Sequence, residues 1–174
     1  MTGVESMKKI VSLLFCVLFF VSCKSSDMDD PADINSNDRP FAVETMQKII
    51  MAFDDEDSEA LYEMFSDAAK ENNDIKSQID EAMQYYKGNS VVSCSDVSHF
   101  FTGSAGIKDN VYSFKSIRFM LFDWETDVGE TYSFDIIYVR VDEEDPSQIG
   151  LAKIYFKDPE DNNGYVLAIG DDLE

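Results

Sequence analysis

Cysteine and histidine are scarce in this sequence, which limits the metal and redox chemistry that it can support. The 174 residues contain one histidine, His99, and three cysteines. Cys16 lies in an apolar N-terminal segment that would be removed as a signal peptide, and Cys23 directly follows this segment as a candidate for lipid attachment. Cys94 then has no partner left for an intramolecular disulfide. One cysteine and one histidine cannot form a zinc site without carboxylates or a second subunit. We therefore expect no metal and no cofactor, and we interpret Cys94 as an inert, partly buried thiol.

Basic residues are also few. The chain has 14 lysine and arginine residues against 35 acidic residues, which gives a formal net charge of −21. After residue 22 the counts are 12 and 34, so the remainder is as acidic as the whole. Such a surface repels nucleic acids and anionic lipid head groups, which argues against nucleic-acid binding. The same charge favours capture of a cation or a cationic peptide, which we keep as a third hypothesis.

The apolar run near the N-terminus is too short for an ordinary membrane span. Residues 10–22 form a run of 13 residues, whereas a helix needs roughly 20 to cross the hydrocarbon core. Lys8 and Lys9 precede the run and the small residue Ser22 ends it. This order is typical of a secretory signal peptide, which we predict at residues 1–22.

The end of this segment carries a more specific signal. The residues "FVSC", which end at Cys23, resemble the lipobox of bacterial lipoproteins, although leucine is commoner than Phe20 at the first position. The resemblance implies a diacylglyceryl thioether on Cys23, whose two acyl chains hold the protein at the outer face of the bacterial cytoplasmic membrane. An ordinary cleaved signal peptide and an uncleaved anchor are the alternatives.

A polar segment separates this cysteine from the rest of the chain. Residues 24–40, "KSSDMDDPADINSNDRP", are rich in Ser, Asp, Asn and Pro and contain no aromatic residue. Such a composition cannot bury enough apolar surface to offset the entropy cost of ordering the chain. We predict a lipidated cysteine and flexible acidic linker at residues 23–40, followed by one domain at residues 41–174.

Three helices are predicted at the start of that domain. The first has an apolar stripe that ends at Phe53, with a period near 3.6. The second begins at Asp57 or Ser58 and continues to Ala68, and the third begins at Asn73 or Asp74. Gly88 is a normal terminator for the third helix.

From residue 89 onward the apolar period changes to two, which predicts β-strands. In "VYSFKSIRFMLFDWET", residues 111–126, Tyr112 and Phe114 share one face, but Ile117, Phe119 and Leu121 fall on the other. This slip in the alternation predicts a bulge in a central strand. Helices followed by antiparallel strands predict an α+β fold with the helices packed on one face of a curved sheet.

The order of three helices and a long curved sheet is similar to the nuclear transport factor 2-like fold, also called the cystatin-like cone. More narrowly, "LYEMFSDAAKENNDIKSQIDEAMQYYKG" and "PSQIGLAKIYFKD" resemble an uncharacterised domain family of bacterial lipoproteins, mostly from Gram-positive organisms. The resemblance covers residues 41–174. It implies a fold and a location, but no established activity and no catalytic residues.

Enzymes on this fold, such as ketosteroid isomerase, place an Asp, His or Tyr inside the cone, where burial tunes its pKa for proton transfer. This chain has His99, Asp96 and Asp135 at predicted strand positions, and these three residues are the catalytic candidates. His99 would be a general base if its strand lines a cavity, and a surface histidine is the alternative. Asp135 alternates with Phe134 and Ile136, so we expect its side chain on the solvent face of its strand.

Aromatic residues on the strands exceed what a one-sided sheet needs for its core. We predict that they line a protein interface or a pocket, and the candidates are Tyr112, Phe114, Trp124, Tyr132, Phe134 and Tyr138. Since dimerisation through the sheet face is common on this fold, we rank a homodimer through that face ahead of a pocket for a small apolar ligand.

These observations predict a membrane-tethered lipoprotein that acts as a ligand-binding or protein-interaction module. The alternative is an enzyme that hydrolyses, isomerises or dehydrates a small molecule with a His or Asp of the cone as general base. The enzyme hypothesis requires two titratable side chains to converge in a mostly apolar pocket.

Overall fold

Four helices precede a five-stranded antiparallel sheet in this computed structural model, which describes residues 38–71, 74–93, 99–158 and 164–170. The helices are α1 (Asp38–Asp54), α2 (Ser58–Met64), α3 (Asp67–Lys70) and α4 (Ile75–Tyr85). The strands are β1 (His99–Lys108), β2 (Val111–Glu125), β3 (Thr131–Asp142), β4 (Gly150–Lys157) and β5 (Tyr165–Ile169). Each strand pairs with the next, so the sheet order is β1-β2-β3-β4-β5. The predicted α+β class is confirmed.

Helix α1 begins at Asp38, three residues before the predicted start of the domain at Phe41. The side chain of Asp38 is 1% exposed, and its carboxylate forms ion pairs with Arg140 on β3 and, at 2.5 Å, with Lys115 on β2. The guanidinium carbon of Arg140 also lies 4.3 Å from the ring centroid of Phe41. Residues 38–40 therefore belong to α1 rather than to the linker predicted at residues 23–40, because two cations of the sheet neutralise a buried carboxylate in the first turn of α1.

The second predicted helix is divided into α2 and α3. Helix α2 ends at Met64 because Phe65 is extended and forms a parallel bridge with Leu151 of β4. The backbone N–H of Ser66 donates to the carbonyl of Leu151 at 2.9 Å, which fixes the break against the sheet. Gly150 permits this close approach, since it has a φ of 139° and an added Cβ would lie 2.8 Å from the Ser66 backbone.

The helix starts agree with the predicted caps. Asp57 caps α2, and its Oδ1 accepts a hydrogen bond from the backbone N–H of Ala60 at 2.9 Å. Asp74 occupies the N-cap of α4 without a side-chain capping bond, and the helix ends at Tyr85. Gly88 follows with a φ of 81°, the conformation that favours glycine after a helix.

Strand β2 is bulged, as predicted, but at two places that lie outside the stretch from Phe114 to Ile117, where the apolar face was predicted to change. Against β1 the extra residue is Ser113, and against β3 the two residues Phe122 and Asp123 stand opposite Ser133. Asp123 has a φ of 57°, which is unusual for a residue other than glycine. The second bulge resets the alternation, so that Trp124 returns to the helix side and is 2% exposed.

The first predicted strand is described only in part. Strand β1 begins at His99, and Ser90 forms only an isolated bridge with Thr126. The stretch between them includes residues 94–98, which lie outside the described residues.

Aromatic rings fill the space between the helices and the sheet. The ring centroid of Phe53 on α1 lies 5.2 Å from that of Tyr86, 5.5 Å from that of Phe156 and 6.2 Å from that of Phe134. The centroids of Tyr86 and Tyr132 are 4.8 Å apart, as are those of Phe134 and Phe156. All five side chains are buried. We call them the aromatic cluster, and they occupy the interior with the chain's own rings.

Replacement of Asp38 by alanine should lower the free energy of unfolding by about 2–3 kcal/mol, because Arg140 and Lys115 lose a buried ionic partner. Urea unfolding followed by tryptophan fluorescence would measure the change. Glu44→Ala is the matched control, since Glu44 pairs with Lys48 on the exposed side of the same helix, and it should produce no measurable loss. Equal effects of the two substitutions would show that the Asp38 pair contributes no more than a surface ion pair.

Candidate functional site on the outer sheet face

The sheet has two unlike faces. Ile117, Phe119 and Leu121 on β2 are at most 1% exposed and face the helices. Residues that alternate with them, such as Arg118, point to the opposite side, which we call the outer face. In the described part of the chain no helix packs on the outer face, and Phe100 on this side of β1 is 53% exposed.

Asp135 and Arg118 form the centre of the outer face. Arg118 pairs with Ile137 in the β2–β3 register and Asp135 pairs with Met120, so the two charged residues are diagonal neighbours. The Nε of Arg118 donates to Oδ1 of Asp135 at 2.8 Å, and Nη2 donates to Oδ2. This bidentate arrangement is the strongest geometry for an arginine–carboxylate pair.

Strand β5 completes the cluster. The hydroxyl of Tyr165 donates to Oδ2 of Asp135 at 2.9 Å. The ring of Tyr165 is stacked on that of Tyr155 on β4, with centroids 4.6 Å apart and an interplanar angle of 29°. We call Arg118, Asp135 and Tyr165 the outer-face triad.

Burial within the triad is uneven. The side chain of Asp135 is 0% exposed and that of Arg118 is 46% exposed. The prediction that Asp135 lies on the outer side of its strand is confirmed, but the expected exposure to solvent is wrong because Arg118 and Tyr165 cover the carboxylate. The hydrogen bonds to Asp135 raise the pKa of Arg118 above its ordinary value, and burial raises the pKa of the Tyr165 phenol.

The triad presents an oriented cation. Asp135 binds Nε and Nη2 of Arg118, so the two N–H groups of Nη1 are not used in this pair, and the side chain is 46% exposed. A guanidinium fixed in this way can bind a carboxylate or a phosphate of a partner with little loss of side-chain entropy. Lys153 and Lys157 of β4 share the Asp135 side of the sheet by alternation, so the outer face carries three cations near its centre.

The catalytic candidates do not meet in the interior. Asp135 faces away from the aromatic cluster, and Asp96 lies outside the described residues, as does Cys94. The backbone of His99 starts β1 opposite Leu121, but its side chain is outside those that the structure describes.

The six aromatic candidates divide between the core and its rim. Trp124, Tyr132 and Phe134 are part of the buried core. Tyr138 is half-buried and meets Phe41 edge to face with ring centroids 5.1 Å apart. The remaining two, Tyr112 and Phe114, are also half-buried.

Sequence reasoning missed a second polar cluster, in which Asp54 joins the end of α1 to the sheet. One oxygen of Asp54, Oδ1, accepts hydrogen bonds from the hydroxyls of Tyr86 and Ser90, both at 2.9 Å. The backbone N–H of Ser90 donates to the same oxygen at 3.0 Å, and Nε1 of Trp124 donates to the hydroxyl of Ser90 at 2.8 Å. We call this set the Asp54 clasp, and it closes one end of the aromatic cluster. Burial raises the pKa of Tyr86, and its bond to Asp54 adds to this rise while the bond to Ser90 opposes it.

Residues 38–71, 74–93, 99–158 and 164–170 have two further properties, which concern metal sites and membrane spans. Within these ranges, no group of three or more His, Cys, Asp or Glu side chains could hold a metal ion. In the same residues, every helix is too short or too polar to cross a membrane. A groove of about 180 Å³ lies between α2 and α4, where Tyr62 and Lys76 form part of its wall.

Residues 48–159 match the family model described as "Domain of unknown function (DUF5104)". The chain belongs to this DUF5104 family. The matched region runs from α1 beyond β4, so the DUF5104 domain includes Arg118 and Asp135 but not Tyr165 or Asp38. No curated protein matches the chain. The predicted membership of an uncharacterised domain family is confirmed.

Removal of the triad's cation should destabilise the DUF5104 domain. Arg118→Met leaves the buried Asp135 carboxylate without its bidentate partner, and we expect a loss of about 2 kcal/mol, less than for a fully buried pair because Arg118 is half exposed. Urea unfolding would measure the loss. The double substitution Arg118→Met with Asp135→Leu should recover most of the lost stability, since it removes both charges. A double variant as unstable as the sum of the two single variants would contradict this coupling.

The Asp54 clasp predicts an alkaline loss of stability. Because the pKa of Tyr86 is raised in the folded state, its contribution to stability is complete below about pH 10, the ordinary tyrosine pKa, and falls as pH rises toward the folded value. Tyr86→Phe should therefore reduce the loss of unfolding free energy above pH 10. Ser90→Ala, which removes a clasp hydroxyl that does not titrate in this range, should keep the alkaline loss. Identical pH profiles for Tyr86→Phe and the native chain would contradict the assignment.

Proposed function

We propose that the protein is a lipid-anchored, extracytoplasmic interaction module that works through its sheet and associates with a second copy of itself. The observation that carries this proposal is the division between a filled interior and an open sheet. The aromatic cluster packs between the helices and the sheet, which supports a proposed cone that is filled by its own rings. The outer face, by contrast, presents an oriented arginine and an exposed phenylalanine.

The tether part of the proposal depends on the N-terminal sequence. A charged start, a short apolar run and the "FVSC" ending support a lipidated Cys23 at the outer face of the bacterial cytoplasmic membrane. The polar residues that follow would give the domain freedom to move near the bilayer. Asp38, the first residue of α1, is fixed to the sheet by two ion pairs, which supports a sharp boundary between tether and domain.

The fold that we propose is the nuclear transport factor 2-like cone. Two features support this fold: the helices pack on one face of the sheet, and the long strand β2 contains two bulges. On this fold a catalytic base would lie inside the cone. The described interior presents buried rings there, and Asp135 lies on the other side of the sheet. The enzyme hypothesis therefore has less support than the interaction hypothesis.

Full-length chains expressed in one bacterial host with two different tags would test the proposal. The chains should label with a radioactive fatty acid, reach the membrane fraction and co-purify after solubilisation in detergent. Cys23→Ser should abolish the label and release the chain from the membrane fraction, whereas Cys94→Ser, the matched cysteine control, should change neither. Labelling that survives Cys23→Ser would refute the lipid anchor. Failure of the two tagged chains to co-purify would refute self-association.

A further inference from the structure

Strand β1 is an open edge of the sheet. In the described residues it pairs with β2 on one side and with no strand on the other. Between His99 and Lys108 the sequence "FFTGSAGI" contains no charge and no proline. Natural edge strands are usually short, charged, interrupted by proline or covered, because a free edge offers backbone groups to any other strand. The opposite edge, β5, follows that rule with 5 residues, whereas β1 has 10.

We propose that two copies of the chain pair through β1, antiparallel and across a twofold axis, so that their sheets join into one continuous sheet. This inference rests on the proposed self-association and names the surface that performs it. Backbone hydrogen bonds supply the pairing, and the small residues from Thr102 to Gly106 allow the two strands to approach without obstruction.

Symmetry restricts the register of this pairing. A twofold axis normal to the sheet keeps each face of one copy on the same side as that face of the other. Residues directly opposite each other must therefore share a face. This requires that one residue of β1 lies opposite the same residue of the second copy, with the axis midway between the two. Gly103 and Ser104 are the two residues at the middle of β1 that satisfy this condition.

The exposed apolar side chains select the register at Ser104. Phe100 and Ile107 are large apolar residues of β1 that are 53% and 51% exposed, so both are available for contact with a second strand. With Ser104 opposite itself, Ile107 of each copy lies opposite Phe101 of the other, an aromatic and β-branched pair that stabilises sheets. Phe100 then lies opposite Lys108, whose ammonium can approach the ring face. With Gly103 on the axis, Ile107 would instead face His99.

The charge of the outer face disfavours the other way of joining two sheets. Face-to-face contact around a twofold axis would bring Arg118, Lys153 and Lys157 of one copy toward the same cations of the other, which is unfavourable. Edge pairing keeps the outer face of both copies open and places their oriented arginines on one surface.

Cysteine cross-linking in membranes tests the register. In a full-length chain with Cys94→Ser, we expect Ser104→Cys to form a disulfide-linked dimer on mild oxidation, since Cα atoms of directly opposite residues lie about 4.5–5.5 Å apart, within the range of a disulfide. Ile137→Cys on the outer face is the matched control and should not cross-link. The Cys94→Ser chain alone should give no dimer.

Charge reversal at the same position gives a second readout. Two tagged chains that both carry Ser104→Lys should co-purify about fivefold less than native chains, because like charges lie directly opposite each other. A mixture of Ser104→Lys and Ser104→Glu chains should restore co-purification. Thr102→Lys, on the same face but opposite Gly106 in this register, should have a smaller effect.

The outcomes separate this inference from the function on which it rests. If native chains co-purify, Ser104→Lys chains co-purify equally well and Ser104→Cys chains form no disulfide, edge pairing is overturned and self-association remains. Cross-linking of Ile137→Cys would then assign the contact to the outer face. A Ser104→Cys cross-link to a protein of different mass would also overturn the pairing of two copies. Native chains that do not co-purify would refute both proposals.

Discussion

The packing of Phe53, Phe134 and Phe156 is the constraint on which the other features of this domain depend. These three rings bring together α1, β3 and β4, and the buried tyrosines Tyr86 and Tyr132 pack beside them. Close packing of this kind stabilises the domain and holds the helix layer on the sheet. The outer face and the edges of the sheet are the surfaces on which the proposed interaction depends.

Charge is distributed unevenly over those surfaces. A chain with a net charge of −21 places an arginine at the centre of its outer face and buries the matching carboxylate beneath it. The net charge of the whole chain therefore does not describe the charge of the outer face. The arginine also lies beside the half-buried tyrosines of β4 and β5, which makes this face chemically distinct. A protein of this composition can repel acidic molecules over most of its surface and still bind a carboxylate at one place.

Local patterns in the sequence predicted the parts of the fold that depend on nearby residues. The irregular alternation of apolar residues predicted that β2 is bulged, although its extra residues lie outside the stretch from Phe114 to Ile117. Asp57 predicted the start of α2. Contacts between distant residues account for the differences. Asp38 belongs to α1 because of Arg140, which lies 102 residues further along the chain. The helix after Leu61 breaks because Phe65 pairs with β4, a contact that helical periodicity cannot reveal.

The candidate site was predictable only in part for the same reason. Alternation placed Asp135 on the correct side of its strand, but its burial depends on Arg118 and Tyr165, which come from two other strands. Knowledge of the strand register is needed to bring these three residues together. The aromatic surplus on the strands was real, yet Trp124, Tyr132 and Phe134 contribute to the core, since a layer of helices needs large side chains beneath it.

The ion pairs of Asp38 determine how a mechanical load would enter the domain. Asp38, the first residue of α1, is held by β2 and β3, two neighbouring strands in the interior of the sheet. Tension applied through the preceding residues is therefore shared between two strands that are hydrogen-bonded along most of their length, before it acts on the remaining turns of α1. A domain attached in this way can resist pulling at its N-terminal side without an additional covalent link.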